Sequence, residues 1–229
     1  MRRIGVLGGM SWQSTISYYR YINEETNARL GGQHSADILM WSGDFDPVAR
    51  CTAARDWGEL ARLLVPAAKS LVGQGAELLV IAANAAHSVA DVVEAYGGMP
   101  VVNIIDVTAH RLRDSGVERA GLLGTAAVME EPFYRERMEV NGVECLIPSE
   151  ATRAEVNRIV FEELVLGVVD DGSHRTLMDA IDILADEGAE GTILGCTELS
   201  MILDEDDGVI PGFDTTRIHA IAVVDAALA

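Results

Sequence analysis

The chain has 229 residues, 49% of them hydrophobic, 5% aromatic and 23% charged, a length that buries roughly 70–75% of the unfolded chain's surface in a folded core. Its 36 acidic residues against 17 basic ones give a net charge of −19. That field repels phosphate backbones and anionic lipid, so neither nucleic acid nor a membrane surface is an expected partner, and the acidity reads as solubility. Lys69 is the sole lysine. Pyridoxal enzymes hold their cofactor as a lysine Schiff base, and Lys69 sits in an ordinary helical context, so pyridoxal chemistry is close to ruled out. The three cysteines, Cys51, Cys145 and Cys196, form no CxxC pair or Cys/His cluster, which argues against zinc and against a disulfide framework. They suit a reducing compartment. The apolar run after Arg2-Arg3 is too short for a secretory signal, and no stretch approaches the ~20 apolar residues of a membrane span. A soluble cytoplasmic protein is expected.

In chain order, residues 4–7 read as a buried strand and 14–30 as a helix with Tyr18, Tyr19 and Ile22 on its inner face. Residues 38–41 follow as a strand and 57–73 as an amphipathic helix whose apolar face is Leu60, Leu63, Leu64, Ala67, Ala68 and Leu71. Then come a strand at 78–82, a helix at 85–96 and a strand at 101–105. The pattern restarts with a strand at 121–124, helices at 133–140, 152–166 and 176–187, a strand at 192–194 and a last helix at 216–228. Strands alternating with helices predict an α/β fold with mostly parallel sheets covered on both faces.

The sequence also repeats itself. Gly5-Val6-Leu7-Gly8 returns as Gly121-Leu122-Leu123-Gly124, Tyr19-Arg20 as Tyr134-Arg135, and Gly75-Ala76-Glu77 as Gly188-Ala189-Glu190, in the same order. Asp106, expected to close a strand, echoes Asp214. Two similar lobes follow, the first expected over residues 1–98 plus about 206–229 and the second over about 99–205. Ligands of open α/β sheets bind beyond the carboxyl ends of the strands. The repeat superposes Ala83-Asn84 on Cys196-Thr197, so these two positions are expected to face one ligand from opposite sides.

Cys196 ends an apolar strand in Leu194-Gly195-Cys196-Thr197-Glu198. Free N–H groups of the next turn are expected to lower its thiol pKa, whereas the Glu198 charge acts to raise it. Cys51 and Cys145 have no such setting and read as structural. His87 lies one turn past Asn84, where it orients ligand-side groups or makes local hydrogen bonds. Asp106 and Asp214 read as helix caps.

Taken together, Gly8-Gly9-Met10-Ser11-Trp12-Gln13-Ser14-Thr15, Gly121-Leu122-Leu123-Gly124-Thr125 and Gly195-Cys196-Thr197-Glu198 resemble the aspartate/glutamate racemase family. Asp37, Asp44-Phe45, Phe161-Glu162-Glu163-Leu164 and Phe213-Asp214-Thr215 resemble its broad-specificity amino acid racemase branch. The resemblance runs from Arg3 to the last helix. It implies two flavodoxin-like lobes related by a pseudo-twofold, an active site in the cleft between them, and a homodimer. It also implies cofactor-independent chemistry without metal, in which two thiols, or a threonine and a thiol, move the α-proton of a small carboxylate or amino acid such as aspartate or glutamate. The carbanion would be held by backbone N–H groups and short polar side chains after strand ends: Met10 and Ser11, Asn84 and Ala85, Thr125 and Ala126, Thr197 and Glu198.

One departure matters. The family's first acid/base precedes the Asn of a Cys/Thr-Asn-Thr-x-His motif, and this chain reads Ala83-Asn84-Ala85-Ala86-His87. The partner base position is vacated, and Ala85 and Val128 stand where relatives carry threonine. Three readings of Ala83 stay open: an engineered inactive racemase, a one-thiol enzyme similar to arylmalonate decarboxylases, or a non-catalytic binder of small carboxylates. Arg50, Arg55, Arg135 and Arg153 are the cations considered for a substrate carboxylate.

Overall fold

The computed structural model describes residues 1–229. The chain opens with β1 (Ile4–Gly8), α1 (Trp12–Leu30), β2 (Ile38–Ser42), α2 (Phe45–Ala54), α3 (Trp57–Gly73) and β3 (Leu78–Ile81). A 3-10 turn (Ala85–Val89) leads into α4 (Ala90–Gly97). There follow α5 (Ile104–Asp114), β4 (Arg119–Gly124), α6 (Ala126–Glu130), α7 (Pro132–Val140), β5 (Glu144–Leu146), α8 (Glu150–Glu162) and α9 (Asp171–Asp186). β6 (Gly191–Gly195), a 3-10 turn (Thr197–Met201), β7 (Gly212–Asp214) and α10 (Thr215–Leu228) complete the chain. Two compact units result: Met1–Ile104 with Thr216–Ala229, and Ile105–Thr215.

The first unit holds a parallel sheet in the order β2-β1-β3. β1 and β3 are buried on both faces, as an α/β sheet covered by helices requires. One face packs Leu7, Leu79 and Ile81 against Leu60, Leu64, Ala68 and Val93 of α3 and α4. The other packs Ile4, Val6 and Val80 against Tyr18 and Ile22 of α1 and Ala220, Val223 and Val224 of α10. Tyr19, expected on the inner face, is 54% exposed while Tyr18 is fully buried.

The second unit holds a parallel sheet in the order β5-β4-β6-β7, so the first three strands of each unit share one order. The repeat has a physical basis. Gly75 (φ +100) and Gly188 (φ +96) take the left-handed backbone open to glycine as each chain leaves its helix. The glutamate two residues on then ties its strand to the first strand of the sheet. Glu77 accepts from the Arg3 N–H at 2.8 Å, and Glu190 accepts from the Glu118 and Arg119 N–H groups at 2.8 and 3.1 Å. Arg3 pairs with Asp37 at 2.8 Å and Arg119 with Glu144 at 2.9 Å, each reaching to the neighbouring strand. Tyr134 is fully buried like Tyr18, whereas Tyr19 is exposed.

The strand expected at 101–105 shrinks to one bridge, Leu79 with Val101, and α5 begins at Ile104. Asp106 therefore closes no strand and caps no helix. It sits in the first turn of α5, where Arg137 of α7 grips both its carboxylate oxygens at 2.7 Å and Asn141 adds a third bond at 2.9 Å. Arg137 and Asn141 together outweigh burial and hold the Asp106 carboxyl below its usual range. The expected helix at 85–96 is divided into a 3-10 turn and α4, and that at 152–166 ends at Glu162.

Candidate active site

In each unit the residues expected to act lie just beyond the carboxyl ends of the parallel strands. After β1, Gly9 adopts φ +80, and a Cβ there would sit 2.4 Å from the Gly43 carbonyl oxygen, so only glycine fits. The Met10–Ser11 peptide is cis. Met10 turns its side chain into the core. Ser11 caps α1 by accepting from the Ser14 N–H at 3.3 Å. Thr15 fastens the loop from inside: its Oγ1 accepts from the Gly9 N–H at 2.8 Å and donates to the Ser11 carbonyl at 2.9 Å. The sequence marks Thr15 only as part of a motif and gives no sign of this role.

After β3, Ala83 is half-buried against the core and Asn84 is buried, with Ala85 half-buried behind it. The Ala83 methyl carries no exchangeable proton, so this strand end supplies no acid or base at position 83. His87 places Nδ1 2.8 Å from the Ala83 carbonyl, and its Nε2 accepts from the Ile104 N–H at 3.2 Å. The His87 ring thus makes the local hydrogen bonds expected of it, to one backbone group on either side. Edge-on to that ring, 5.5 Å between centroids, lies His219 of α10. His219 contacts the Tyr18 hydroxyl at 2.7 Å and the Val102 carbonyl at 2.8 Å. Burial foremost, then the neighbouring His87, pushes the His219 pKa down to about 3.

In the second unit Cys196 follows β6 and is 7% exposed. Its thiol donates to Glu198 Oε2 at 3.0 Å, and the Thr197 hydroxyl donates to the same oxygen at 2.7 Å. All three residues are buried. Burial foremost, then the Glu198 charge and hydrogen bond, push the thiol pKa well up, although the N–H groups of Glu198 and Leu199 pull it down. The N–H groups and Glu198 thus act in the directions expected of them, and desolvation with the adjacent carboxylate outweighs the N–H groups. At rest Cys196 is a thiol and a proton donor.

Around the sulfur the strand ends are tightly spaced. A Cβ at Gly195 would lie 2.9 Å from the Leu123 carbonyl, and one at Gly124 would lie 3.0 Å from the Gly195 carbonyl. Val128 is buried, and its Cγ1 would lie 3.2 Å from a Cβ at either glycine. It fills space between the two glycines. Thr125 stands at the end of β4 beside Gly195's strand, buried, and does not cap α6 with its hydroxyl. The Ala126 N–H is taken by Asn157 of α8 at 2.8 Å, a contact no sequence signal marked. Thr215 anchors the strand ahead of the thiol by donating to the Leu194 carbonyl at 2.8 Å. Asp214, expected to cap a helix, is buried at the end of β7.

The other sequence candidates lie elsewhere. Cys51 is buried in helix α2 with its thiol pKa raised, chiefly by burial. Cys145, in β5, is raised by burial to about 12; neither thiol is poised to ionise. Arg50 pairs with Asp46 at 3.2 Å on the surface, and Arg55 donates to the Thr52 carbonyl that ends α2. Arg135 and Arg153 converge on Glu130, through its carbonyl at 3.4 Å and its carboxylate at 3.2 Å. No group of three or more His, Cys, Asp or Glu is arranged to hold a metal, and no helix is long and apolar enough to cross a membrane.

Two parallel α/β units with a buried cysteine at the end of a strand define the class of fold to which the chain belongs. The chain belongs to the Asp/Glu/hydantoin racemase family, which it matches over residues 7–223. It is similar to a provisionally named Asp/Glu racemase of known structure from Yersinia pestis, at 44% identity and TM-score 0.93 with 100% of both chains covered. An aspartate racemase homologue from Pyrococcus horikoshii is 32% identical, TM-score 0.87, again over 100% of both chains. A broad-specificity amino-acid racemase from Bacillus subtilis is 22% identical over 99% of this chain and 98% of its own length.

Proposed function

We propose that the protein is a cofactor-independent enzyme acting at the α-carbon of a small carboxylate of the aspartate/glutamate type, with Cys196 as its one acid. The observation that carries this reading is the Cys196 thiol donating at 3.0 Å to Glu198 in a chain whose partner position is Ala83. A thiol held protonated is a poor base, since each unit of raised pKa cuts the thiolate fraction about tenfold. It is a competent acid toward a carbanion. In this reading Cys196 hands its proton to one face of an enediolate formed at the α-carbon, for instance after loss of carbon dioxide from a malonate-type acid. Water then returns a proton to the sulfur. In this reading Thr125, Thr197 and the backbone groups at residues 10–11 and 84–85 hold the carboxylate, and position 83 takes no part in the chemistry. The homodimer implied by family resemblance belongs to the same proposal.

The test is solvent deuterium entering the α-position of a product or substrate across a panel of aspartate, glutamate and substituted malonates. We expect incorporation from one face alone and its loss in Cys196→Ser; incorporation unchanged in that variant would remove Cys196 from the chemistry. Ala83→Cys is expected to add proton exchange at the second face, which appears as racemisation. Efficient racemisation by the unaltered chain would overturn the one-acid reading in favour of a two-sided mechanism.

A further inference from the structure

The imidazole of His87 lies between two backbone groups whose polarity is fixed. The Ile104 N–H can only donate, so His87 Nε2 at 3.2 Å must accept. The proton of the neutral ring is therefore on Nδ1, and it is donated to the Ala83 carbonyl at 2.8 Å. The backbone N–H of His87 donates to the next carbonyl, Asn84, at 3.0 Å. One residue thus holds two successive carbonyls just beyond β3. Peptide planarity does the rest: fixing the Ala83 carbonyl fixes the whole 83–84 peptide plane, with the Asn84 N–H directed to the opposite side.

The ring is itself held in place. His219 meets it edge-on at 5.5 Å. The Val102 carbonyl can only accept, so His219 carries its proton on Nε2 and accepts the Tyr18 hydroxyl hydrogen bond on Nδ1. Residues from α1, the turn after β3, the 102–104 segment and α10 thereby fix the proton positions of two adjacent rings. Each of the four bonds has a donor and an acceptor, and moving the proton on either ring would set two donors or two acceptors against each other.

We propose that His87 is a positioning residue: in its Nδ1–H tautomer it locks the Ala83–Asn84 peptide, and through it the strand end at which the substrate carboxylate is held. The substrate half of this statement rests on the reading in the preceding subsection; the lock itself does not. The two bonds of the ring can be separated by substitution. His87→Asn places an amide N–H where Nδ1 stands and keeps donation to Ala83. His87→Gln reaches the Nε2 position and keeps acceptance from Ile104 while releasing Ala83.

The experiment uses the full chain. The carbonyl 13C shift of Ala83 and the amide shift of Asn84 are compared across wild type, His87→Asn and His87→Gln, with thermal midpoints measured alongside. The imidazole 15N spectrum reports the tautomer. Expected are a protonated Nδ1 in wild type, near-native shifts at 83 and 84 in the Asn variant, and displaced shifts in the Gln variant at similar thermal stability. Where turnover is found, the Gln variant should raise KM roughly tenfold with kcat within about twofold, since a lost hydrogen bond moves binding and leaves the thiol untouched. The Asn variant should restore KM. A protonated Nε2, or Asn and Gln variants that displace residues 83 and 84 equally, would overturn the lock. A confirmed lock with no Cys196-dependent turnover would instead strike the proposed function alone.

Discussion

At Cys196 opposing influences act on one sulfur. Two backbone N–H groups favour the thiolate, while burial and Glu198 favour the thiol, and the second pair prevails. Glu198 is the part of that balance a substitution can remove. Glu198→Gln takes away a negative charge 3.0 Å from the sulfur and leaves a neutral acceptor of similar size. We expect its Cys196 pKa to fall, with alkylation at pH 8 roughly tenfold faster than in wild type. Peptide mapping separates this signal from Cys51 and Cys145, and a rate that stays level or drops would show that Glu198 does not govern the thiol. The candidate thiol was legible because a cysteine flanked by Gly195 and Thr197 at a strand end is distinctive. Its protonation state was not, since the N–H groups, the carboxylate and the burial have to be weighed in three dimensions.

Among the elements, long periodic segments could be read from sequence and short ones could not. The 57–73 helix matches α3 because its apolar residues recur on one face and Asp56 caps it by accepting from the Glu59 N–H. The run Pro100-Val101-Val102-Asn103-Ile104-Ile105 misled, since a short apolar run fits a strand or a buried helix start equally well. Here Ile104 and Ile105 are buried as the first turn of α5. Helix α2 was overlooked although Asp44 caps it by accepting from the Asp46 N–H. The packing of α1 on α10 through Tyr18 and His219 joins residues 201 positions apart, beyond any local pattern. It makes a pH prediction. His219 has a folded pKa of about 3, below the ordinary 6.5 of an unfolded histidine. Unfolded chains therefore bind the proton first. The stabilisation is complete above pH 6.5 and drains away as pH falls toward 3, a difference of roughly 4–5 kcal/mol at most. Denaturant titrations over that range should show a shallower decline in His219→Gln; an unchanged slope would assign the acid sensitivity to other groups.

For the whole molecule, the repeated order of strands was visible as recurring short motifs, and the structure explains why those motifs recur. Gly75 and Gly188 need a backbone that other residues resist, and Glu77 and Glu190 each tie a strand to its neighbour. Within each core the large buried aromatic is Tyr18 in the first unit and Tyr134 in the second, while Tyr19 of the Tyr19-Arg20 match is exposed. Net charge enters at this scale too. At −19 the folded chain repels itself, and the repulsion is long-range at low salt and screened within a few ångströms near 1 M. Raising KCl from 20 mM to 500 mM should therefore lift the thermal midpoint by about 3–6 °C. A flat or falling midpoint would show that the ion pairs, such as Arg137 with Asp106, lose as much to screening as the net charge gains.

The shared oxygen of Glu198 has one more consequence. The hydrogen facing it from Cys196 is bound to sulfur, and sulfur holds deuterium less firmly than water does. In a mixture of light and heavy water the resting thiol is therefore enriched in the light isotope relative to its surroundings. If that hydrogen is the one delivered to carbon, this equilibrium bias is passed on with the kinetic preference of the transfer. The isotope ratio of the product would record which element last held its proton.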